Sequence, residues 1–234
     1  MAHAWKACWA QALGGSNPPL SAIKRIMKTT LYVVRHGESE HNRDNIVSGH
    51  VNPALTEKGK AQALLTRQKL SHVRFDEAYS SDLQRAVHTG ALIYGQEVPA
   101  AHQLFDLRER NYGVIDGASN DDYIAIKQAN QKLLDNLDEA EQWLFKHADD
   151  IESDHELSSR FISAITHIAQ SNDGKTILVA AHGGVMRTML IKLGYATSQQ
   201  LPARTIENAA FIELIYESGM LHIGQLSGIN KLRD

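Results

Sequence analysis

The chain has 234 residues, is 43% hydrophobic and carries 24 Lys and Arg against 27 Asp and Glu, for a formal net charge of −3. That length can bury a full core as one compact domain, and the mild acidity without a polybasic stripe excludes a nucleic-acid-binding surface. The apolar runs are strand-length, far short of the roughly 20 residues a bilayer requires, so no membrane association is expected.

Residues 1–26 contain Trp5, Trp9, Gly14-Gly15 and Pro18-Pro19 but no sustained helical or strand period. They read as a nonessential N-terminal extension ahead of a domain at 27–234, with Met27 as an ordinary start. The apolar stretch is broken by Lys6 and Gln11 and has no clear cleavage site, which argues against a secretory signal. The single cysteine, Cys8, cannot form an internal disulfide, and the two points together favour a cytoplasmic location.

The first strong element is the run Leu31-Tyr32-Val33-Val34, which reads as a buried parallel strand and leads straight into Arg35, His36 and Gly37. Residues at the carboxyl end of such a strand face the crevice where open α/β sheets bind ligands. Arg35 brings a permanently charged planar fork suited to phosphate oxygens, and Gly37 allows close backbone approach. Thr56 predicts the cap of a helix over Glu57 to Leu70, with Ala61, Leu64, Leu65 and Leu70 as its apolar face. Tyr79 to Thr89 reads as a short strand, a cap at Ser81 or Asp82, and a helix start. Arg85 then falls in the first turn, where the dipole favours an anion.

Leu107 to Gly113 sets Glu109 between Arg108 and Arg110, which by itself is compatible with nothing more than a surface ion pair. The polar segment Asn120 to His147 carries Ile124, Leu133, Leu134 and Leu144 at spacings that fit one or two helices over the site, with those residues as packing contacts. A helix follows over Glu156 to Gln170. The strand Thr176 to Ala181 then ends in His182-Gly183-Gly184, repeating the earlier strand, His, Gly arrangement, and a helix runs from Val185 to Leu193. Ala210 to Tyr216 and Met220 to Gln225 flank a Glu217-Ser218-Gly219 turn and predict a hairpin. Of the 12 histidines, pairs such as His36 and His41 or His147 and His155 lack an accompanying acidic ligand set, so no metal is expected.

Five blocks in order resemble the histidine phosphatase superfamily, the phosphoglycerate mutase-like group. They are Arg35-His36-Gly37-Glu38-Ser39 with Asn42; Ser48-Gly49 followed by Pro53 to Gly59; Ser80 to Ala86; Leu107-Arg108-Glu109 through Gly113 and Gly117; and Ala181-His182-Gly183-Gly184. The resemblance covers nearly all of the chain from Lys28 onward. It implies a three-layer α/β/α sandwich with a mostly parallel central sheet. It also implies that His36 is a nucleophile forming a phosphohistidine, that Glu109 is the proton donor, and that His182, Arg35 and Arg85 make the phosphate pocket. Asn42, Ser48, Gly49 and Gly183 are then substrate contacts. The implied partner is a small phosphorylated substrate, with no cofactor and an open oligomeric state. Imidazole is largely neutral above its reference pKa of about 6.5, so one ring nitrogen can attack phosphorus without a metal-activated hydroxide.

Cofactor-dependent phosphoglycerate mutases of this group carry a paired-arginine segment after the Glu-bearing loop, whereas Gly117 to Gln131 here contains no arginine. The run Leu107 to Gly117 is similar to the bisphosphatase and broad phosphatase branch, which favours phosphomonoester hydrolysis over mutase chemistry. Ile151-Glu152-Ser153 stands where many relatives have Gly-Glu-Ser, which weakens a substrate role for Glu152 and Ser153. A noncatalytic scaffold is disfavoured because both histidines, both arginines and Glu109 are all present.

A chain starting at Met27 is expected to match the full chain in phosphate release and thermal midpoint. A clear drop in the midpoint would instead show that Trp5 or Trp9 packs on the domain, a burial worth on the order of a few kcal/mol.

Overall fold

Strand β1, Thr29–Arg35, lies inside a six-stranded sheet and is buried over most of its length. The computed structural model describes residues 27–232, so the extension at 1–26 lies outside the described residues. With β2 Glu77–Ser81, β3 Gln103–Leu104, β4 Thr176–Ala181, β5 Ile206–Glu217 and β6 Met220–Ile229, the sheet has the order β3-β2-β4-β1-β5-β6. The pairings β1–β4, β2–β4 and β2–β3 are parallel, while β1–β5 and β5–β6 are antiparallel. The expected late hairpin is present and extends outward on both strands.

Alternation along β1 divides the core between two faces. Leu31 and Val33 pack with Leu157 and Phe161 of helix α6, Asp154–Ser171, and with Val185 and Met186 of helix α7, Gly183–Lys192. Tyr32 and Val34 pack on the opposite face with Ala63 of helix α2, Glu57–Lys69, and Ile93 of helix α3, Gln84–Tyr94. The result is the expected three-layer α/β/α sandwich around a mostly parallel sheet. Among the described residues, no helix is long and apolar enough to cross a membrane.

Helix α2 departs from the predicted face. Its buried residues are Gly59, Ala63 and Thr66, while Ala61, Leu64 and Leu65 are exposed and only Leu70 of the expected set is buried. The cause is close approach: a Cβ on Gly37 would lie 2.2 Å from the Gly59 carbonyl oxygen, and one on Gly59 would lie 2.1 Å from the Glu38 carbonyl oxygen. A helix lying that near the end of β1 has room only for small side chains on its inner face, so the leucines turn to solvent.

The cap of α3 is a second correction. Leu83 occupies the cap position without a side-chain cap bond. Asp82 is instead bound by Arg108 through two contacts of 2.7 Å, and Ser81 Oγ accepts from the Leu83 N–H at 3.3 Å. Asn52 Oδ1 takes the Gln84 N–H at 2.8 Å, so a distant side chain supplies the missing acceptor.

Between β3 and α6, helices α4, Asn120–Leu134, and α5, Glu139–Leu144, each begin with a capping box, Ser119 with Asp122 and Asp138 with Glu141. Neither helix has a buried residue, and Ile124, Leu133 and Leu144 are exposed rather than packed as expected. Helix α1, Glu40–Arg43, is a single turn whose box joins Ser39 and Asn42.

Gly59→Ala is expected to destabilise the protein although alanine is the better helix former by about 1 kcal/mol. Overpacking against backbone costs about 1–3 kcal/mol, so thermal unfolding should show a net drop of a few degrees, while Leu65→Ala should leave the midpoint nearly unchanged. A Gly59→Ala protein as stable as the parent would contradict the close approach.

Candidate active site

The parallel register of β1 with β4 pairs Arg35 with Ala181, and the His36 N–H donates to the Ala181 carbonyl at 2.9 Å. Both strands end at the same level, so His36 and His182 are neighbours, with ring centroids 5.2 Å apart and planes at 63°. Both are buried. His36 Nδ1 lies 2.7 Å from the Gly37 carbonyl oxygen. That oxygen can only accept, so Nδ1 carries the proton and Nε2 keeps its lone pair.

Several buried polar atoms beside this ring have no hydrogen-bond partner among the described residues: Arg35 Nε, Arg85 Nε, both ring nitrogens of His182, and Ser48 Oγ. Buried donors are ordinarily satisfied, and a cluster of unsatisfied ones next to two cations suits an anionic ligand. Burial first, and then the charges of Arg85 and Arg35, hold His36 well below the usual imidazole range. His182 is held low by burial and then by Arg85. Burial also pulls Arg85 down to about 10, so it remains a cation at neutral pH.

Arg85 is fully buried, and most of its fork is committed to backbone. Its Nη1 donates to the Val51 carbonyl at 2.7 Å, and Nη2 donates to Gly49 at 2.7 Å and Ser48 at 3.3 Å. Asp116 holds the same loop from its N–H side, accepting from Gly49, His50 and Val51 at 2.7, 2.6 and 2.9 Å. A Cβ on Gly49 would sit 2.3 Å from the Arg110 carbonyl oxygen. Gly49 therefore serves loop packing, and both its backbone polar groups are used inside the protein.

Glu109 makes no ion pair with its arginine neighbours. Arg108 is bound to Asp82, stacking over Phe105 at 4.6 Å, and Arg110 is bound to Asp154 and the Glu152 carbonyl. The Glu109 side chain turns inward, 8% exposed in all, with Oε1 accepting the Arg110 N–H and Oε2 the Gly184 N–H, each at 2.8 Å. A Cβ on Gly184 would lie 2.2 Å from Oε1, so only glycine permits this approach at the start of α7. Arg160 braces the backbone behind Glu109, donating to the Asp106 and Arg108 carbonyls at 2.9 and 3.0 Å while paired with Glu152 at 2.8 Å. Ser153 caps α6. Glu152 and Ser153 are thus structural.

A cavity of about 920 Å³ opens over His36. Of the residues singled out from sequence, Arg35, His36, Asn42, Ser48, Glu109 and Gly183 line it; Arg85 and His182 are buried beside His36, and Gly49 is held in the loop packed on Arg85. Asn42 Oδ1 faces Asn208, which donates to it at 3.2 Å and to the His36 carbonyl at 3.2 Å. Three cations that line the cavity were not foreseen: Lys127 from α4, Arg187 from α7, and Arg204, whose charge bears on Arg35, from the turn before β5. The sequence signal for Arg187 was its place one turn beyond Gly183-Gly184 on the helix that His182 begins. Arg204 stands in the left-handed region at φ 72° and donates to Asn45 Oδ1 at 2.8 Å. Among the described residues, no group of three or more His, Cys, Asp or Glu side chains could hold a metal ion.

Comparison with known proteins adds to this geometry. The model of the histidine phosphatase superfamily (branch 1) matches residues 31–227. A 2,3-bisphosphoglycerate-dependent phosphoglycerate mutase of Bartonella henselae is 31% identical over 200 residues, covering 81% of this chain and 92% of that relative. A phosphoglycerate mutase structure from Bacillus anthracis superposes with a TM-score of 0.72 at 27% identity, covering 87% of this chain and 94% of that one. A phosphoserine phosphatase from Entamoeba histolytica, at 24% identity and a TM-score of 0.70 over 85% and 96% of the two chains, shares the fold.

The buried neutral histidines imply an acid-sensitive fold. Below pH ~6.5 the unfolded chain takes up protons that His36 and His182 refuse in the folded state. Stability is therefore present above that pH and lost as pH falls, by up to about 1.4 kcal/mol per pH unit for each histidine. Denaturant titrations from pH 7.5 to 5.5 in chloride buffer should show this slope, reduced by about one histidine's share in His36→Gln. A slope unaltered by that substitution would mean that His36 is not held neutral.

Proposed function

Since the chain belongs to the histidine phosphatase superfamily (branch 1), we propose that it is a phosphomonoesterase that hydrolyses a small phosphorylated substrate through a phosphohistidine on His36. The observation that carries this reading is the set of unpartnered buried donors on Arg35, Arg85 and His182 around a histidine whose Nε2 lone pair is free.

In the first step His36 Nε2 attacks phosphorus as the ester oxygen departs in line, and Glu109 gives that oxygen a proton. Arg35, His182 and Arg85 Nε hold the transferring phosphoryl oxygens, a preorganised electrostatic contribution of a few kcal/mol per donor. In the second step Glu109 takes a proton from water, the hydroxyl oxygen attacks the phosphohistidine, and inorganic phosphate leaves with His36 restored. Splitting one displacement into two lowers each barrier, provided the phosphoryl group stays aligned. The backbone N–H bonds to both Glu109 oxygens keep that carboxyl oriented. Asn42 and Ser48, on the pocket wall, are the remaining contacts for the phosphoryl group, beside the Gly183 backbone.

A mutase reading is favoured by the names of relatives such as the Bartonella henselae protein. The arginine-free run Gly117 to Gln131 does not leave the cavity without cations, because Lys127, Arg187 and Arg204 line it. Hydrolysis remains our conclusion because the paired arginines expected of the mutase branch are missing from that run.

His36→Ala should lose phosphate release on every ester tested and take up no acid-labile phosphate, while remaining folded. Appreciable turnover by the purified variant would end the phosphohistidine mechanism. In the parent protein, a phosphohistidine that water clears within the turnover time supports hydrolysis. One that resists water and passes quickly to a monophosphoglycerate would make the protein a mutase.

A further inference from the structure

Asn42 reaches the cavity from a helix of one turn that has no buried residue, so packing does little to fix its side chain. A chain of hydrogen bonds with a set direction fixes it instead. The Ser39 N–H can only donate, so the Asn42 atom 3.2 Å from it is the carbonyl oxygen Oδ1. Asn208 meets that oxygen with its Nδ2 at 3.2 Å, and the same Nδ2 lies 3.2 Å from the His36 carbonyl, which can only accept. Both ends of the chain therefore demand the same orientation of the two amides. With Ser39 and Asn208 on its two lone pairs, Asn42 Oδ1 is fully used, and the Nδ2 hydrogens are what Asn42 has left to offer the cavity.

A second observation comes from the backbone that carries Asn208. Strand β5 slips register against β6 between Ile206 and Phe211, and Ala209 in that stretch stands in the left-handed region at φ 58°, where a residue with a Cβ is strained. The kink is anchored on both sides. Ala209 is buried, its N–H donates to the His36 carbonyl at 3.3 Å, and its own carbonyl accepts from Thr66 Oγ1 on the inner face of α2 at 2.7 Å. These bonds set Asn208 beside the end of β1 and over Asn42.

We propose that Asn208 is a positioning residue of the phosphoryl site: it locks the Asn42 amide with its donors toward the cavity, and the strained turn at Ala209 is what brings it there. This role rests on the phosphomonoesterase reading of the site through Asn42, whose donors meet the phosphoryl oxygens in that reading. A phosphoryl dianion offers acceptors only, so an Asn42 turned the other way would face it with an oxygen and oppose binding. The turned state would also set the Asn42 NH2 against the Ser39 N–H and the Asn208 NH2. Asn208 cannot rotate its amide to relieve that clash, because its own oxygen would then face the His36 carbonyl. One side chain thus ties the amide that holds the phosphoryl group to the backbone of the residue that attacks it.

Orthovanadate binding, measured by calorimetry, tests the lock separately from turnover. Asn208→Leu, close in shape but without donors, should weaken binding about fivefold to tenfold, the loss expected when one hydrogen bond is removed. Asn42→Ala should weaken it at least as much. The double variant separates a positioning role from a direct or structural one: once Asn42 is gone, adding Asn208→Leu should change the affinity by less than about twofold. Asn208→Ala gives the same comparison should the leucine variant fail to fold. An Asn208 effect of equal size with and without Asn42, unchanged binding in the single Asn208 variant, or a parent protein that does not bind orthovanadate would each overturn the proposal. A parent that binds orthovanadate and shows the predicted cycle, yet releases phosphate from no ester, would end the phosphomonoesterase reading and leave the lock standing.

Discussion

The parallel pairing of β1 with β4 is the constraint from which the rest follows. It brings two strand ends to one level, so that residues far apart in sequence, His36 and His182, become adjacent rings. Side chains alternate between sheet faces, and a one-residue slip would exchange the inward set Leu31 and Val33 for Tyr32 and Val34. Both sheet faces are covered, and each strand residue fits its own layer, so hydrophobic packing and site geometry specify the same register. The glycines next to the strand ends serve this closeness: Gly37 meets Gly59 of α2, and Gly184 meets Glu109.

Gathering Arg35, Arg85 and two histidines in a buried place opposes folding, and the structure shows where the opposition is met. Arg85 is compensated mainly by the carbonyls of Ser48, Gly49 and Val51, and Asp116 anchors that loop from its amide side. The histidines meet it by staying neutral, which also keeps the His36 lone pair available. What is left unsatisfied among these four side chains is Arg35 Nε, Arg85 Nε and the His182 ring nitrogens, as expected of polar groups whose partner arrives with a ligand. Stability and activity are thereby opposed at the same atoms.

Much of this was legible in the chain. The strands and the order of helices follow from apolar periodicity, Arg35, His36, Arg85 and His182 stood out by their places at strand ends and a helix start, and Glu109 was singled out by the family resemblance alone. The errors have a common physical source. The inner face of α2 could not be read from its leucines because the spacing between helix and strand is set by a glycine contact to a strand distant in sequence. Asp82 looked like a cap, but a bidentate arginine outside the local window claimed it. For Glu109 the local segment alone was compatible with a surface ion pair, and the structure shows each neighbouring arginine drawn off by a carboxylate elsewhere, Asp82 or Asp154. Local propensity ranks the partners available nearby, while the folded chain offers others.

The cations that line the cavity are the clearest case of that limit, and they bear on how reaction type can be inferred within a family. The absence of arginine from Gly117 to Gln131 is a fact about one segment. Charge at the cavity, however, is a property of convergence, and it arises here from a lysine on α4, an arginine on α7 and another in the turn before β5. The candidate phosphoryl end of this chain is built from short blocks at strand ends, where backbone geometry and residue chemistry coincide. Of the other cations, Lys127 sits on a helix with no buried residue, Arg187 on one whose neighbours Val185 and Met186 are core, and Arg204 in a turn, so no single local pattern marks them in the sequence. The arginine-free run therefore bears on reaction type only together with the cations that reach the cavity from α4, α7 and the turn before β5.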